Sequence, residues 1–380
     1  MRGFFRSYWQ TMLAIVKDRN VLLLIFIGPI VYSIYYPFPY SPEQVREIPV
    51  AIVDLDHTSL SRELVRLAQA SPDIKVIGLM DDVSSLEKAL RDGDIDGGII
   101  IPDDFNRNIK RGQLTKAVVL GNGAYFMLNR GGLLGFSGAV QALSSKLEIA
   151  HEHGFTGSSA QAKERREPVQ LELSAASNPS GGYSTYVVPG VAIIVLQQTL
   201  LLGLCMLLGS WRASGAPYDM TLFHNRLALL FAGTTICCLN TFYYIGIVYW
   251  VQDYPHMGKL DDLMAVSIIF SFTATAWAIV IGSFMRYKVQ PIIHLIPTSI
   301  PIIFLAGFAW PVESIPAPLV ILSKLIPSTA GVQAFINVDQ MGASFAQVLP
   351  EVLSMLLLLS ASLLFIIFKE SWPKLAEKPR

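Results

Sequence analysis

The sequence predicts an α-helical integral membrane protein with six transmembrane helices, one followed by five, and an α/β domain inserted outside the membrane after the first. Three observations predict it. Hydrophobic residues make up 52% of the 380 and charged residues only 15%, with a mean hydropathy of +0.46; a soluble globular chain carries roughly 25% charged residues. Six apolar stretches free of Asp, Glu, Lys and Arg suit the roughly 20 helical residues that a bilayer core demands. Lys and Arg in the short loops and termini fall twelve on one side and two on the other. The net charge is zero, which excludes an overall basic nucleic-acid binder, and the apolar mass excludes disorder.

The six stretches are Val21–Tyr36 (with flanking aromatics to Tyr40), Val187–Leu208, Leu227–Trp250, Leu263–Phe284, Val289–Trp310 and Val352–Phe368. The fifth carries Pro291, Pro297 and Pro301. No small-residue cleavage site follows the first, which reads Tyr35-Tyr36-Pro37-Phe38, so it is an uncleaved anchor rather than a signal peptide. Before it, Phe5, Tyr8, Trp9, Met12, Leu13 and Val16 recur at helical spacing, the pattern of an interfacial amphipathic helix over residues 1–19. Cys205, Cys237 and Cys238 lie in apolar runs without a CxxC pair and read as small buried hydrophobes.

The basic residues set the orientation. Arg2, Arg6, Lys17 and Arg19 precede the first span; Arg212 and Arg226 flank the second-to-third loop; Arg286 and Lys288 sit in the fourth-to-fifth loop; Lys369, Lys374, Lys378 and Arg380 lie in the tail. The other short loops hold only Lys259 and Lys324. By the positive-inside rule both termini, including the 369–380 tail, are cytoplasmic and residues 41–185 lie outside. His294 is placed near the cytoplasmic interface, where a hydrogen-bonded histidine is the default.

Residues 41–185 alternate between strand and helix patterns. Ile48–Asp54, Ile74–Leu79, Gly97–Pro102 and Lys116–Leu120 read as strands; Ser61–Gln69, Val83–Arg91 and Asp104–Arg111 read as helices. This order implies a small sheet with crossover helices. A longer helix is expected from Tyr125 to about His151, then a polar stretch 154–167 and a returning strand 169–173. Asp54-Leu-Asp56-His57-Thr58 has the form with which carboxylate-nucleophile phosphatases begin. The same residues make an acidic strand-to-helix turn capped by Thr58 or Ser59, which is the expectation here, and a cation site at Asp54, Asp56 and His57 is a further alternative.

After the fifth stretch the piece Leu319–Ile326 is too short to span and is bounded by prolines. It predicts a re-entrant or interfacial hairpin within 311–345. Among the few polar side chains within 186–368, Gln197, Gln198, Asn240, Thr298 and Ser299 are candidates to line a pathway or to bridge helices. No GxxxxGK[ST] occurs, so no nucleotide site is expected on this chain, and no carboxylate sits in a predicted span to drive a proton-coupled pump.

Several segments together resemble the permease subunit of ABC-2 type exporters, in particular the drug-resistance branch with a large periplasmic domain. They are Ile48–Arg62, Asp96-Gly-Gly-Ile-Ile-Ile-Pro-Asp-Asp-Phe105, Asn178-Pro179 with Tyr186 and Pro189-Gly190, and Gly307–Pro316 with Pro327-Ser-Thr329. The resemblance implies a bacterial inner-membrane location, a second permease copy (identical or a sister chain), and a cytoplasmic ATPase subunit that carries the ATP and magnesium. It also implies a possible periplasmic membrane-fusion partner and a route lined by the second and fifth spans. The amino-terminal helix and the second-to-third loop would dock the ATPase, through Phe5, Trp9, Trp211 and Arg212. The chain departs from the family pattern after the second span, where Ser210–Pro217 holds no acid before Asp219. A non-transporting envelope scaffold that binds a partner through its outside domain is the alternative reading.

Overall fold

The computed structural model describes residues 2–152, 177–178, 181–369 and 372. They form two compact units, one made by Gln44–Leu173 and the other by the residues before and after it.

The chain opens with helix α1 (Arg2–Lys17). Asp18 ends it and starts the next helix: its backbone is extended and its carboxylate accepts the N–H groups of Asn20 and Val21 at 3.1 and 3.3 Å. Helix α2 (Arg19–Tyr40) follows. It widens to a π-turn over Leu23–Ile27 and tightens to a 3₁₀ turn over Phe38–Tyr40.

The second unit contains β1 (Ile48–Asp54), α3 (Ser59–Gln69), β2 (Ile74–Met80), α4 (Val83–Asp92), β3 (Gly97–Ile101), α5 (Phe105–Lys110), β4 (Val118–Gly121) and α6 (Phe126–Glu152). The sheet order is β2-β1-β3-β4, with β1 parallel to both neighbours and β4 antiparallel. Central β1 is a nearly continuous apolar run because both its faces are covered. Ile48, Val50 and Ile52 share one core with Leu64 and Ala68 of α3 and Phe136 and Leu143 of α6. Ala51 and Val53 share a smaller one with Leu86 and Ala89 of α4. The helix following β1 and the helix following β2 therefore cover opposite faces, and the order reverses at the carboxyl end of β1. Each sequence-predicted strand and helix up to residue 152 is present within a few residues of its expected bounds. The expected segments 154–167 and 169–173, Pro179 and most of the 369–380 tail lie outside the described residues.

The first unit continues with α7 (Tyr183–Ser214), α8 (Phe223–Val251), α9 (Leu260–Gly282), α10 (Gln290–Leu305), α11 (Ala317–Ser323), α12 (Pro327–Gln340) and α13 (Leu349–Phe368). Helix α7 is its mast: 89% of its most apolar stretch is buried by neighbours, against 28% in α2 and 22% in α13. Glycines allow the closest approaches. A side chain at Gly203 would meet Ile25 of α2 at 2.3 Å, and one at Gly282 of α9 would meet the Cys205 Cα of α7 at 3.2 Å.

Five helices are long and apolar enough to cross a membrane: α2, α7, α8, α9 and α13. The count reaches six if α11 and α12, which meet at 89°, make one broken span. The stretch expected to form a fifth span over 289–310 is instead the shorter α10. Its 16 residues amount to about 24 Å at 1.5 Å per residue, less than the ~30 Å core. Pro297 sits in a 3₁₀ turn, Ile296–Thr298, that divides it. Proline removes an N–H from the ladder and clashes with the preceding turn.

Gly98 of β3 makes a test of the smaller core. A Cβ there would lie 2.5 Å from Leu86 Cδ1 and 3.0 Å from the Ala51 carbonyl. Gly98→Val is expected to destabilise the unit by about 2 kcal/mol through overpacking. In the full chain in detergent this would raise the protease-cleavable population between residues 44 and 152 roughly thirtyfold. Unchanged cleavage would contradict this packing.

Candidate functional site

Several buried polar side chains meet a neighbouring helix where that helix starts or is irregular. Gln197, 1% exposed near the middle of α7, accepts the backbone N–H of Ser328 in the first turn of α12 at 2.5 Å. Its neighbour Gln198 donates to Ser299 Oγ at 3.1 Å, at the point where α10 resumes after its 3₁₀ turn. Thr298 does not join them; its hydroxyl returns to the Leu295 carbonyl of its own helix at 2.6 Å. Asn240 belongs to another seam. Its amide donates to the Ile25 carbonyl at 2.8 Å, inside the π-turn of α2 where the regular ladder is broken. Tyr244 donates to the Pro29 carbonyl at 2.7 Å, and the Tyr243 and Ser33 hydroxyls meet at 2.9 Å. Three consecutive turns of α2 are thus laced to α8. Of the five sequence-predicted pathway residues, Gln197, Gln198 and Ser299 converge on α7, whereas Asn240 and Thr298 stand apart.

A second cluster joins α1 to α8 and to the loop between α7 and α8. Ser7 donates to Asn225 at 2.6 Å, the Thr11 and Tyr218 hydroxyls lie 2.5 Å apart, and Tyr8 donates to Thr235 at 3.1 Å. Trp211 is buried edge-on against Tyr218, ring centroids 5.6 Å apart. Burial pushes the Tyr218 phenol above its ordinary value, with the Thr11 hydrogen bond opposing. The inward side of α1 therefore carries hydroxyls, whereas Phe5, Trp9, Leu13 and Val16 form an exposed apolar stripe. Trp211 meets α1 through Tyr218, Arg212 is half-buried, and Phe5 and Trp9 point away from both. Arg226 closes the same end: it donates to the Ile366 and Ile367 carbonyls at 2.6 and 3.0 Å, satisfying acceptors that a helix end leaves open.

Two tertiary contacts carry no signal in the sequence, because their partners are far apart along it. Lys288 Nζ lies 2.7 Å from both oxygens of Asp18, which ties the α1–α2 joint to the segment before α10. His256 Nδ1 lies 2.9 Å from Asp339 Oδ1, and the Met257 and Gly258 N–H groups donate to the Asp339 carbonyl, which staples the loop after α8 to the end of α12.

The acidic motif after β1 lies at the point where the strand order reverses, the usual ligand crevice of an open α/β sheet. Its carboxylates are nevertheless occupied by their own turn. Asp54 accepts the N–H groups of Asp56 and His57 at 3.1 Å each and the Ser61 hydroxyl at 2.7 Å. Asp56 accepts the Thr58 hydroxyl at 2.5 Å and the Asn106 N–H at 3.3 Å. Thr58 and Ser61 form the reciprocal capping box of α3. This is the structural turn, not a free nucleophile. Among the described residues no group of three His, Cys, Asp or Glu side chains is placed to hold a metal ion.

With this geometry in place, comparison with known proteins is decisive for the family. A family model described as "ABC-2 family transporter protein" matches residues 19–369. The chain belongs to the ABC-2 transporter family. This ABC-2 protein is also similar to the "Probable multidrug ABC transporter permease YbhS" of Escherichia coli strains K12 and O157:H7. Each is 20% identical over 329 residues, which covers 83% of this chain and 82% of the relative. Membership makes the chain a multi-pass membrane permease component rather than an enzyme and implies association with an ABC ATPase subunit.

The Asp18 clasp gives a test. Burial works against its charge, but the hydrogen bond and charge of Lys288 and the Val21 and Asn20 N–H groups outweigh it and hold the carboxyl below its ordinary 3.8. A carboxyl lowered on folding stabilises the fold above its unfolded value and loses that contribution as pH falls through the folded one. The clasp is therefore intact at neutral pH and lost only below about pH 4, the ordinary range for aspartate. At pH 7, Asp18→Asn keeps the helix cap and loses the ion pair, whereas Asp18→Ala loses both and is expected to cost about 1 kcal/mol more. Equal unfolding free energies for the two variants in detergent would refute the capping role.

Proposed function

We propose that the chain is the membrane-spanning half of an ATP-driven exporter that moves amphipathic, drug-like cargo outward across a bacterial inner membrane. The observation that carries this reading is the family match, which runs across both structural units, in a sequence without a phosphate-binding loop. ATP and magnesium belong to the ATPase subunit. Six spans form when α10 serves as the fifth, with α11 and α12 as a re-entrant hairpin. The termini are cytoplasmic and the α/β unit is extracytoplasmic, in keeping with the loop charges. Two permease copies, identical or sister chains, enclose the route, and the α/β unit offers a surface to a membrane-fusion protein.

In this mechanism the ATPase pushes on the joint between α1 and the α7–α8 loop. Trp211 and Tyr218 make that joint stiff, so displacement there reaches α7 and α1 together. Arg212 presents the charge nearest to the ATPase, and Phe5 and Trp9 hold α1 in the leaflet. Gln197, Gln198 and Ser299 mark the polar part of the route, with Asn240 and Thr298 on its flanks. A ligand shifts such a two-state system only by its differential affinity for the two packings, which is what ATP binding to the partner supplies.

Pull-down of the full chain from its native membrane is expected to recover an ABC ATPase. Arg212→Glu should lower that recovery about fivefold or more through charge reversal at the contact, whereas Asp54→Asn should leave it unchanged. Vesicles holding the chain and its ATPase should accumulate a lipophilic dye only with ATP. Dye accumulation without nucleotide, or a pull-down devoid of ATPase, would overturn the assignment.

A further inference from the structure

Helix α12 begins in an unusual place. The segment Lys324–Ile326 joins α11 to α12 across the 89° bend. The first turn of α12 then abuts Gln197, near the midpoint of the 32-residue α7. The far end of α12 reaches the beginning of α7, where Gln340 donates to the Thr185 carbonyl at 3.3 Å. The helix thus runs antiparallel to α7 and points its amino terminus, the positive end of its dipole, into the middle of the bundle.

Side-chain donors crowd that terminus without partners in the protein. Ser328 is fully buried and its Oγ makes no hydrogen bond; the same holds for Thr329 Oγ1 and for Nε2 of Gln197. The orientation of the Gln197 amide follows from its contact, since only its oxygen can face the Ser328 N–H. Its Nε2, on the same planar group, therefore lies beside the same turn. Buried polar atoms without partners are rare because each costs roughly 1–3 kcal/mol. Here three donors are unmet at one helix start. Lys324, exposed in the bend immediately before it, adds a full positive charge and forms no ion pair among the described residues. An uncompensated lysine in a re-entrant turn is a candidate for function rather than packing.

We infer that the start of α12 is a binding site for an oxyanion, a carboxylate or phosphate carried on an amphipathic molecule, held by Lys324, Ser328, Thr329 and the Gln197 amide. Half-helices that begin at mid-depth in transporters commonly present their positive ends to anionic groups. Exposed Ile321, Leu322 and Leu325 beside Lys324 suit the tail of such a molecule. The inference rests on the exporter reading for its role as a cargo site, but the site itself is independent of the ATPase.

The test uses the purified full chain in detergent, without nucleotide, and two fluorescent probes with the same tail: a dodecyl phosphate and a dodecyl alcohol. The wild type is expected to bind the phosphate about tenfold or more tightly, the usual scale of one to two charge-assisted hydrogen bonds. Lys324→Gln and Ser328→Ala should each erode that preference severalfold. Gln197→Glu keeps the acceptor for Ser328 N–H and the side-chain shape but replaces the donor with a negative charge, so it should abolish the preference. Competition by phosphatidylglycerol would identify a lipid headgroup as the source of the anion, and competition by inorganic phosphate a free one. Equal binding of the two probes, or a preference untouched by Lys324→Gln and Gln197→Glu, would overturn the site. ATP-dependent dye export in a chain without phosphate preference would sink the site and leave the exporter standing. A preference retained without ATP-dependent export would do the reverse.

Discussion

A helix that starts or breaks inside a membrane leaves backbone groups that lipid cannot satisfy, and meeting that demand organises this bundle. Gln197 takes the Ser328 N–H at the start of α12. Asn240 and Tyr244 take the Ile25 and Pro29 carbonyls along irregular α2. Arg226 takes the last carbonyls of α13, and Asp18 the first N–H groups of α2. These side chains serve a neighbour's irregularity or end, whereas many Ser and Thr hydroxyls, such as those of Thr241 and Ser267, return to a carbonyl of their own helix. The irregularities survive because the partner helix supplies the missing hydrogen bond.

The arrangement divides the bundle into a rigid part and an adjustable part. Helix α7, enclosed on nearly all sides, and α9, joined to it through Gly282 against Cys205, have no breaks beyond the proline at 189. Helices α2, α8, α10 and α12 each contain a π or 3₁₀ turn. Such turns expose backbone groups that can exchange partners, so shifts in packing are cheapest there. A mast with breakable helices around it is suited to two packings that share one core.

Much of this was legible in the sequence, and the reasons are local. The sheet unit could be read because β1, α3, β2 and α4 are set by alternation, capping and glycine stops within a few residues of each other: Thr58 caps α3, Asp82 caps α4 and Gly93 ends it with positive φ. The 89° bend between α11 and α12 was legible because prolines bound a run too short to span. The division of α10 was not: hydropathy counts apolar residues through Pro297 as readily as through leucine, whereas the backbone ladder does not. The Asp18–Lys288 and His256–Asp339 contacts were hidden because nothing in a local pattern records a partner 270 or 83 residues away. The candidate pathway residues stand out as polar within apolar runs. That criterion finds side chains with a hydrogen-bonding duty but does not say whether the duty is to backbone or to cargo.

The distinction can be drawn from completeness. Asn240 donates to the Ile25 carbonyl, and Thr298 to a carbonyl of its own helix. Gln197 meets the scaffold's need with its oxygen and leaves its nitrogen unmet beside two unmet hydroxyls. A purely structural role would be fulfilled by any acceptor of that shape, and an apolar environment penalises every surplus donor. The Gln197 nitrogen can only donate and each hydroxyl can donate as well, so beside the positive end of a helix dipole and a lysine the group favours a negative partner. In a protein of the ABC-2 transporter family, that electrostatic imbalance marks a place that an anion would complete, and an anion bound better in one packing than in another would shift the balance between them.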